Sequence, residues 1–174
     1  LEAYGIQQSD FVAIFTGAHG VANGLMTVLK AARELKVLGC ENVKLLFVGD
    51  GKLKPELKSY ADKHQLDNCV FVNPIPKEEL IQVLRSADIG LMILKNVPAF
   101  YYGTSPNKFF DYLACGLPVL TNYSGWVADL VKENACGIAV PPDEPSLLAQ
   151  AIIGLRDQSL VQMGENALSL AEKE

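Results

Sequence analysis

Short apolar runs suited to buried strands alternate with segments of helical period about six times along this chain, and that rhythm restricts its fold more than any other feature. Phe11–Thr16, Val43–Val48, Val70–Val72, Ile89–Leu94, Leu117–Leu120 and Gly137–Val140 read as strands. Their near-continuous Val, Ile, Leu and Phe content is what a strand covered on both faces requires. Leu25, Val28, Leu29, Ala32 and Leu35 mark an amphipathic helix that ends before Gly39. Further helical patterns run from Pro55 to His64, Glu78 to Ser86, Phe109 to Ala114, Ser124-Gly125 to Glu133, Leu147 to Leu155 and Leu160 to Leu170. No repeat, linker or low-complexity segment interrupts them. The expectation is a single α/β domain over residues 1–174, a Rossmann-like, doubly wound parallel sheet in strand order 3-2-1-4-5-6.

Ligands of such a sheet sit at the carboxyl ends of its strands. Each polar or glycine-rich loop here follows a strand: Gly17–Gly24, Gly49–Gly51, Asn73–Pro76 and Lys95–Ser105. The sequence therefore predicts one shared edge. Gly17, Gly20 and Gly24 precede a helix, so the N–H groups of their loop can cradle a diphosphate. Their spacing, Gly-x-x-Gly-x-x-x-Gly, is not the dinucleotide fingerprint, and a tight strand–helix turn would use the same glycines. His19, in this loop, is a candidate catalytic residue that could reach the phosphates or a transferred sugar; a plain turn residue is the alternative.

The stretch Tyr101–Tyr123 carries the strongest signal. Ser105 and Pro106 form a helix start, with a hydroxyl at the N-cap and proline at the first position. Lys108 follows in the first turn, where a cation opposes the helix dipole by roughly 0.3–1 kcal/mol. An anionic ligand would remove that conflict. Asn107 offers both donor and acceptor, and Asp111, one turn in, can accept hydrogen bonds from a diol. Trp126 reads as packing.

The formal net charge of −5, with no basic patch, argues against nucleic acid as a partner. Cys40, Cys69, Cys115 and Cys136 are scattered and only His19 and His64 accompany them, so no metal site is expected and reduced thiols in a cytoplasmic protein are. No apolar run is long enough to span a membrane. Leu1-Glu2-Ala3-Tyr4 is neither a signal peptide nor a methionine start, so the chain reads as a piece of something larger.

Asp111-Tyr112-Leu113-Ala114-Cys115-Gly116-Leu117-Pro118-Val119, preceded by Ser105-Pro106-Asn107-Lys108, resembles the donor-binding motif of the retaining GT-B glycosyltransferases of family 4, of the bacterial surface-polysaccharide type. Gly49-Asp50-Gly51 resembles that family's strand-end turn. The resemblance covers Phe11 to about Leu170 and implies the C-terminal, donor-binding half of a GT-B enzyme. It implies a nucleoside-diphosphate sugar as donor, with uridine favoured, and a polysaccharide or lipid-linked sugar as acceptor, bound by an absent N-terminal domain. Transfer would retain anomeric configuration and need no metal or other cofactor. Gly17, Gly20, Thr104, Ser105, Asn107 and Lys108 would meet the diphosphate or sugar, Asp111 the ribose, and Ile75 the base. Lys108 would stabilise the leaving group. The full protein would work in the cytoplasm, at the inner face of the membrane, and the isolated domain would turn nothing over.

Three departures stand out. Ala18 and Asn23 occupy places where the family commonly has an arginine and a lysine on the phosphates. The first acid of the family's Glu-x7-Glu pair would fall at Gly103, and the second is shortened to Asp111. The loop of Tyr101, Tyr102, Gly103 and Thr104 would have to supply the missing sugar contact. Two other readings stay open: a sugar-nucleotide epimerase of the same architecture, and a non-catalytic flavodoxin-like binding module.

Overall fold

A computed structural model describes residues 1–103 and 107–173. Its six strands are β1 Phe11–Thr16, β2 Val43–Val48, β3 Cys69–Val72, β4 Ile89–Met92, β5 Val119–Thr121 and β6 Gly137–Ala139. All pairings are parallel and the order is β3-β2-β1-β4-β5-β6, the expected doubly wound topology. The helices are α1 Leu25–Val37, α2 Lys54–Lys63, α3 Lys77–Ser86, α4 Pro98–Gly103, α5 Asn107–Ala114, α6 Trp126–Glu133, α7 Pro145–Arg156 and α8 Val161–Lys173.

Strand residues alternate between two cores because successive side chains leave opposite faces of a sheet. Ala13, Phe15, Leu45, Phe47, Ile89 and Leu91 pack under α1, α2 and α7. Val12, Ile14, Leu46, Val48, Met92 and Val119 pack under α3, α5, α6 and α8. Both faces are covered, which is why the strands read as unbroken apolar runs.

The differences from the expected boundaries have local causes. β4 stops at Met92 because the buried Asn122 side chain takes both polar groups of Leu94: Oδ1 accepts its N–H at 2.8 Å and Nδ2 donates to its carbonyl at 3.0 Å. β5 starts late because Leu117 N–H still bonds the end of α5, at Tyr112 O (3.0 Å), and Pro118 has no N–H to donate. The expected loop Lys95–Thr104 contains α4, whose first residue is Pro98, pre-set in φ for a helix start.

At the point where strand order reverses, β1 and β4 pair only at Ala13–Ile89 and Ile14–Gly90. Beyond that register the Tyr112 hydroxyl from α5 takes over. It accepts from Thr16 N–H at 3.2 Å and lies 3.0 Å from the Leu91 carbonyl, to which it donates. The ring lies so close to Gly90 that an added Cβ would sit 2.5 Å from it. One phenol thus holds α5 over the crevice between the two halves of the sheet.

Candidate functional site

The loops at the carboxyl edge are tied to one another. Gly17 N–H bonds Val48 O (3.0 Å), His19 N–H bonds Asp50 O (2.9 Å), and Leu53 N–H bonds His19 O (3.0 Å). Gly49 has φ +148°, and a Cβ there would lie 2.0 Å from Gly17 O. The loops after β1 and β2 interlock only because that side chain is absent. Lys95 N–H bonds Ala22 O (2.9 Å), joining the loop after β4 to the same cluster. Asn23 donates to Ala18 O at 2.7 Å and so stitches its own loop.

Lys108 enters this cluster from the first turn of α5. Its Nζ lies 4.0 Å from the Phe15 ring centroid and 3.2 Å from where a Gly17 Cβ would be. The sequence placed Gly17 in the loop after β1 and Lys108 in the first turn of a helix at the same edge; the structure puts one on the other. Among the described residues no carboxylate comes within ion-pair distance of this ammonium. Burial pulls its pKa from 10.5 down to about 8, so it is still mainly protonated at neutral pH. A desolvated cation at a helix N-terminus, beside a glycine loop and without a counter-ion among the described residues, is arranged to receive an anion.

His19 does not match the expectation of a group reaching the ligand. Its ring is fully buried, set edge-on to Phe15 and Phe47 (centroids 6.0 and 6.3 Å) and tilted against Phe71 at 6.4 Å. Nδ1 lies 3.1 Å from Gly17 O and must be the donor, since a carbonyl only accepts. Nε2 has no hydrogen-bond partner among the described residues. Burial lowers the His19 pKa, keeping the ring neutral. The three phenylalanines draw the ring inward, where it shapes the Gly17–Gly20 turn.

Asp111 is half-buried and lines a groove of about 270 Å³ between α3 and α5, with Lys77, Leu80, Leu84, Arg85 and Cys115. Ile75, in the loop after β3, is half-buried and packs onto the core on the α3, α5 side of the sheet. Asn107 is exposed at the start of α5. Thr104 and Ser105 lie outside the described residues, as does the Pro106 helix start. The structure thus brings Gly17, Lys108 and the β1–β2 loops into contact, with Asn107 and Asp111 along the same helix.

Sequence reasoning missed Lys54. It is buried at the first residue of α2, and its Nζ donates to Gly49 O at 2.7 Å and to Asn73 Oδ1 at 2.9 Å. The run Gly51-Lys52-Leu53-Lys54 reads as a solvated turn, and nothing in it tells the inward lysine from the outward one. Gly90, a glycine inside a strand, was the available signal for the Tyr112 contact. Two roomier clefts, of about 430 and 660 Å³, lie at the opposite edge around Asp10, Asn42 and Asp88. Neither gathers a glycine loop or a helix N-terminus.

A family model described as "Glycosyl transferases group 1" matches residues 10–158. Among curated proteins, the amylovoran biosynthesis glycosyltransferase AmsK of Erwinia amylovora is 28% identical over 134 residues, 76% of this chain and 32% of that protein. A D-inositol 3-phosphate glycosyltransferase of Corynebacterium jeikeium is 33% identical over 125 residues, 67% of this chain and 27% of that protein. The chain spans about a third of the length of such relatives. Among solved structures, WaaG, a glycosyltransferase involved in lipopolysaccharide biosynthesis, superposes with TM-score 0.81 at 20% identity, covering 99% of this chain and 45% of that one. Anabaena HepE in complex with UDP-glucose gives 0.82 at 18%, covering 99% and 46%. The C-terminal domain of the Francisella tularensis group 1 protein LpcC gives 0.79 at 17%, covering 99% of this chain and 89% of that domain.

Proposed function

Because the chain belongs to the group 1 glycosyl transferases, we propose that it is the nucleotide-sugar-binding, C-terminal half of such an enzyme. The observation that carries this reading is Lys108, a desolvated ammonium held against Gly17 with no carboxylate beside it among the described residues. The donor diphosphate lies there, against Gly17, Gly20, Asn107 and the first turn of α5. Asp111 takes the ribose diol, and the Asn73–Pro76 loop takes the base, with Ile75 beneath it. UDP is the favoured nucleotide, supported by HepE having been seen with UDP-glucose. The match to an LpcC C-terminal domain along most of its length supports the assignment to that half.

In the reaction the bond between the anomeric carbon and the diphosphate oxygen breaks, and negative charge grows on the leaving oxygen. Lys108 and the backbone N–H groups of the Gly17–Gly20 loop stabilise that charge without a metal. The missing half brings a polysaccharide or lipid-linked sugar, and transfer retains configuration. Work at the cytoplasmic face of a membrane fits such an acceptor, and among the described residues no helix is long and apolar enough to cross a membrane.

Calorimetric titration of the chain with UDP and with inorganic pyrophosphate tests the assignment. Asp111→Asn should weaken UDP and spare pyrophosphate, while Lys108→Ala should weaken both. Equal affinities across all three proteins would defeat the reading. A robust transfer rate from the chain alone would defeat its assignment as a half-enzyme.

A further inference from the structure

Lys54 is placed where stability alone would not put a lysine. It opens α2, where a cation opposes the helix dipole. It is only 7% exposed, and among the described residues no carboxylate pairs with it. An uncharged chain of the same length would fill the space without the desolvation penalty. What the ammonium adds is a link between two loops. One N–H goes to Gly49 O and another to Asn73 Oδ1. Gly49 presses on Gly17 O, in the loop assigned to the diphosphate. Asn73 opens the loop assigned to the base. An ammonium can only donate, so it also fixes which end of the exposed Asn73 amide faces inward, leaving Nδ2 as the outward group.

We infer that Lys54 is a positioning residue for nucleotide recognition: it holds the base loop at a set distance and orientation from the diphosphate loop, without touching the donor. The inference rests on the proposed placement of the nucleotide, and its consequence is selective. The diphosphate ligands stay where they are when Lys54 is lost, because Lys108 is carried by α5 and the Gly17–Gly20 loop is held by backbone bonds to β2 and the loop after it. The base loop keeps its backbone anchor, Gly49 N–H to Val72 O, and loses only the side-chain link at Asn73 that sets its orientation.

The test is titration of the wild-type chain, Lys54→Met, Asn73→Leu and the double variant with UDP and with inorganic pyrophosphate. Loss of a hydrogen bond to a charged group that orders a binding loop corresponds to about a tenfold weakening for UDP. Pyrophosphate affinity should hold within about twofold. The double variant should be no weaker than either single one, because both remove the same link. UDP affinity unchanged in the single variants would overturn the inference, as would UDP and pyrophosphate falling together. Should Lys54→Met not fold, Asn73→Leu alters an exposed residue and carries the same comparison. A wild-type chain that binds neither ligand would instead defeat the nucleotide-site reading itself.

Discussion

Replacing Lys108 by methionine should make the unliganded domain more stable and its diphosphate binding worse. The side chains have similar length, so the stem that lies along Gly17 and Phe15 is kept and only the charge leaves. Burial lowers the Lys108 pKa from 10.5 to about 8. At about 1.4 kcal/mol per unit, that is roughly 3 kcal/mol of penalty for holding the charged form in the fold. The contact 4.0 Å from the Phe15 ring centroid returns roughly 0.5–2 kcal/mol of it. Lys108→Met should then gain about 1–3 kcal/mol, or about 3–10 °C in melting temperature at neutral pH for a domain of this size. The sign with pH follows from linkage. Because the folded pKa is the lower one, the unfolded chain binds more protons between pH 8 and 10.5, and wild-type stability rises through that window. The advantage of the variant should therefore fade above about pH 8 and be nearly gone near pH 10.5. Thermal melts followed by circular dichroism across this range, with and without pyrophosphate, provide the assay; the ligand should raise the wild-type midpoint and leave the variant nearly unmoved. A variant that melts below wild type, or a difference that does not change with pH, would refute the reasoning.

Three further outcomes follow from the same loops. Burial holds the His19 pKa below its ordinary 6.5, so its contribution is fully present above that value and is lost as pH falls through the lower, folded one; the stability difference between wild type and His19→Gln should shrink as pH is lowered below 6.5 in thermal melts. Tyr112→Phe strands the Thr16 N–H and the Leu91 carbonyl and should lower unfolding stability by about 2–3 kcal/mol, read as a shifted urea midpoint at constant m-value. Gly49→Ala forces a Cβ to 2.0 Å from Gly17 O and should remove about 3 kcal/mol or more, with loss of pyrophosphate binding by calorimetry.

Strand order and the common edge of the loops were legible in the sequence because both follow from alternation and from the handedness of parallel crossovers. The conflict at Lys108 was legible as well: a lysine in a first helical turn is locally at odds with the dipole, which singled the residue out. Long-range geometry was not. That Lys108 lies on Gly17, that Tyr112 reaches Thr16 and that Lys54 reaches Asn73 are contacts between distant segments, invisible to local spacing. His19 shows the limit most plainly. A histidine between glycines reads as a loop residue open to ligand, yet Phe15, Phe47 and Phe71, from three different strands, make an apolar pocket that takes its ring. The end of β4 depended likewise on Asn122, whose side chain replaces a strand partner for Leu94.

The proposed nucleotide site lies at the carboxyl edge of the sheet, between the glycine loop after β1 and the start of α5. Backbone amide shifts of the isotopically labelled chain, followed during titration with UDP, locate it most directly. Changes should concentrate at Gly17–Gly20, Asn73–Ile75 and Asn107–Asp111, with the Gly17–Gly20 part lost in Lys108→Ala. Changes centred on Asp10, Asn42 and Asp88, at the opposite edge of the sheet, would contradict it.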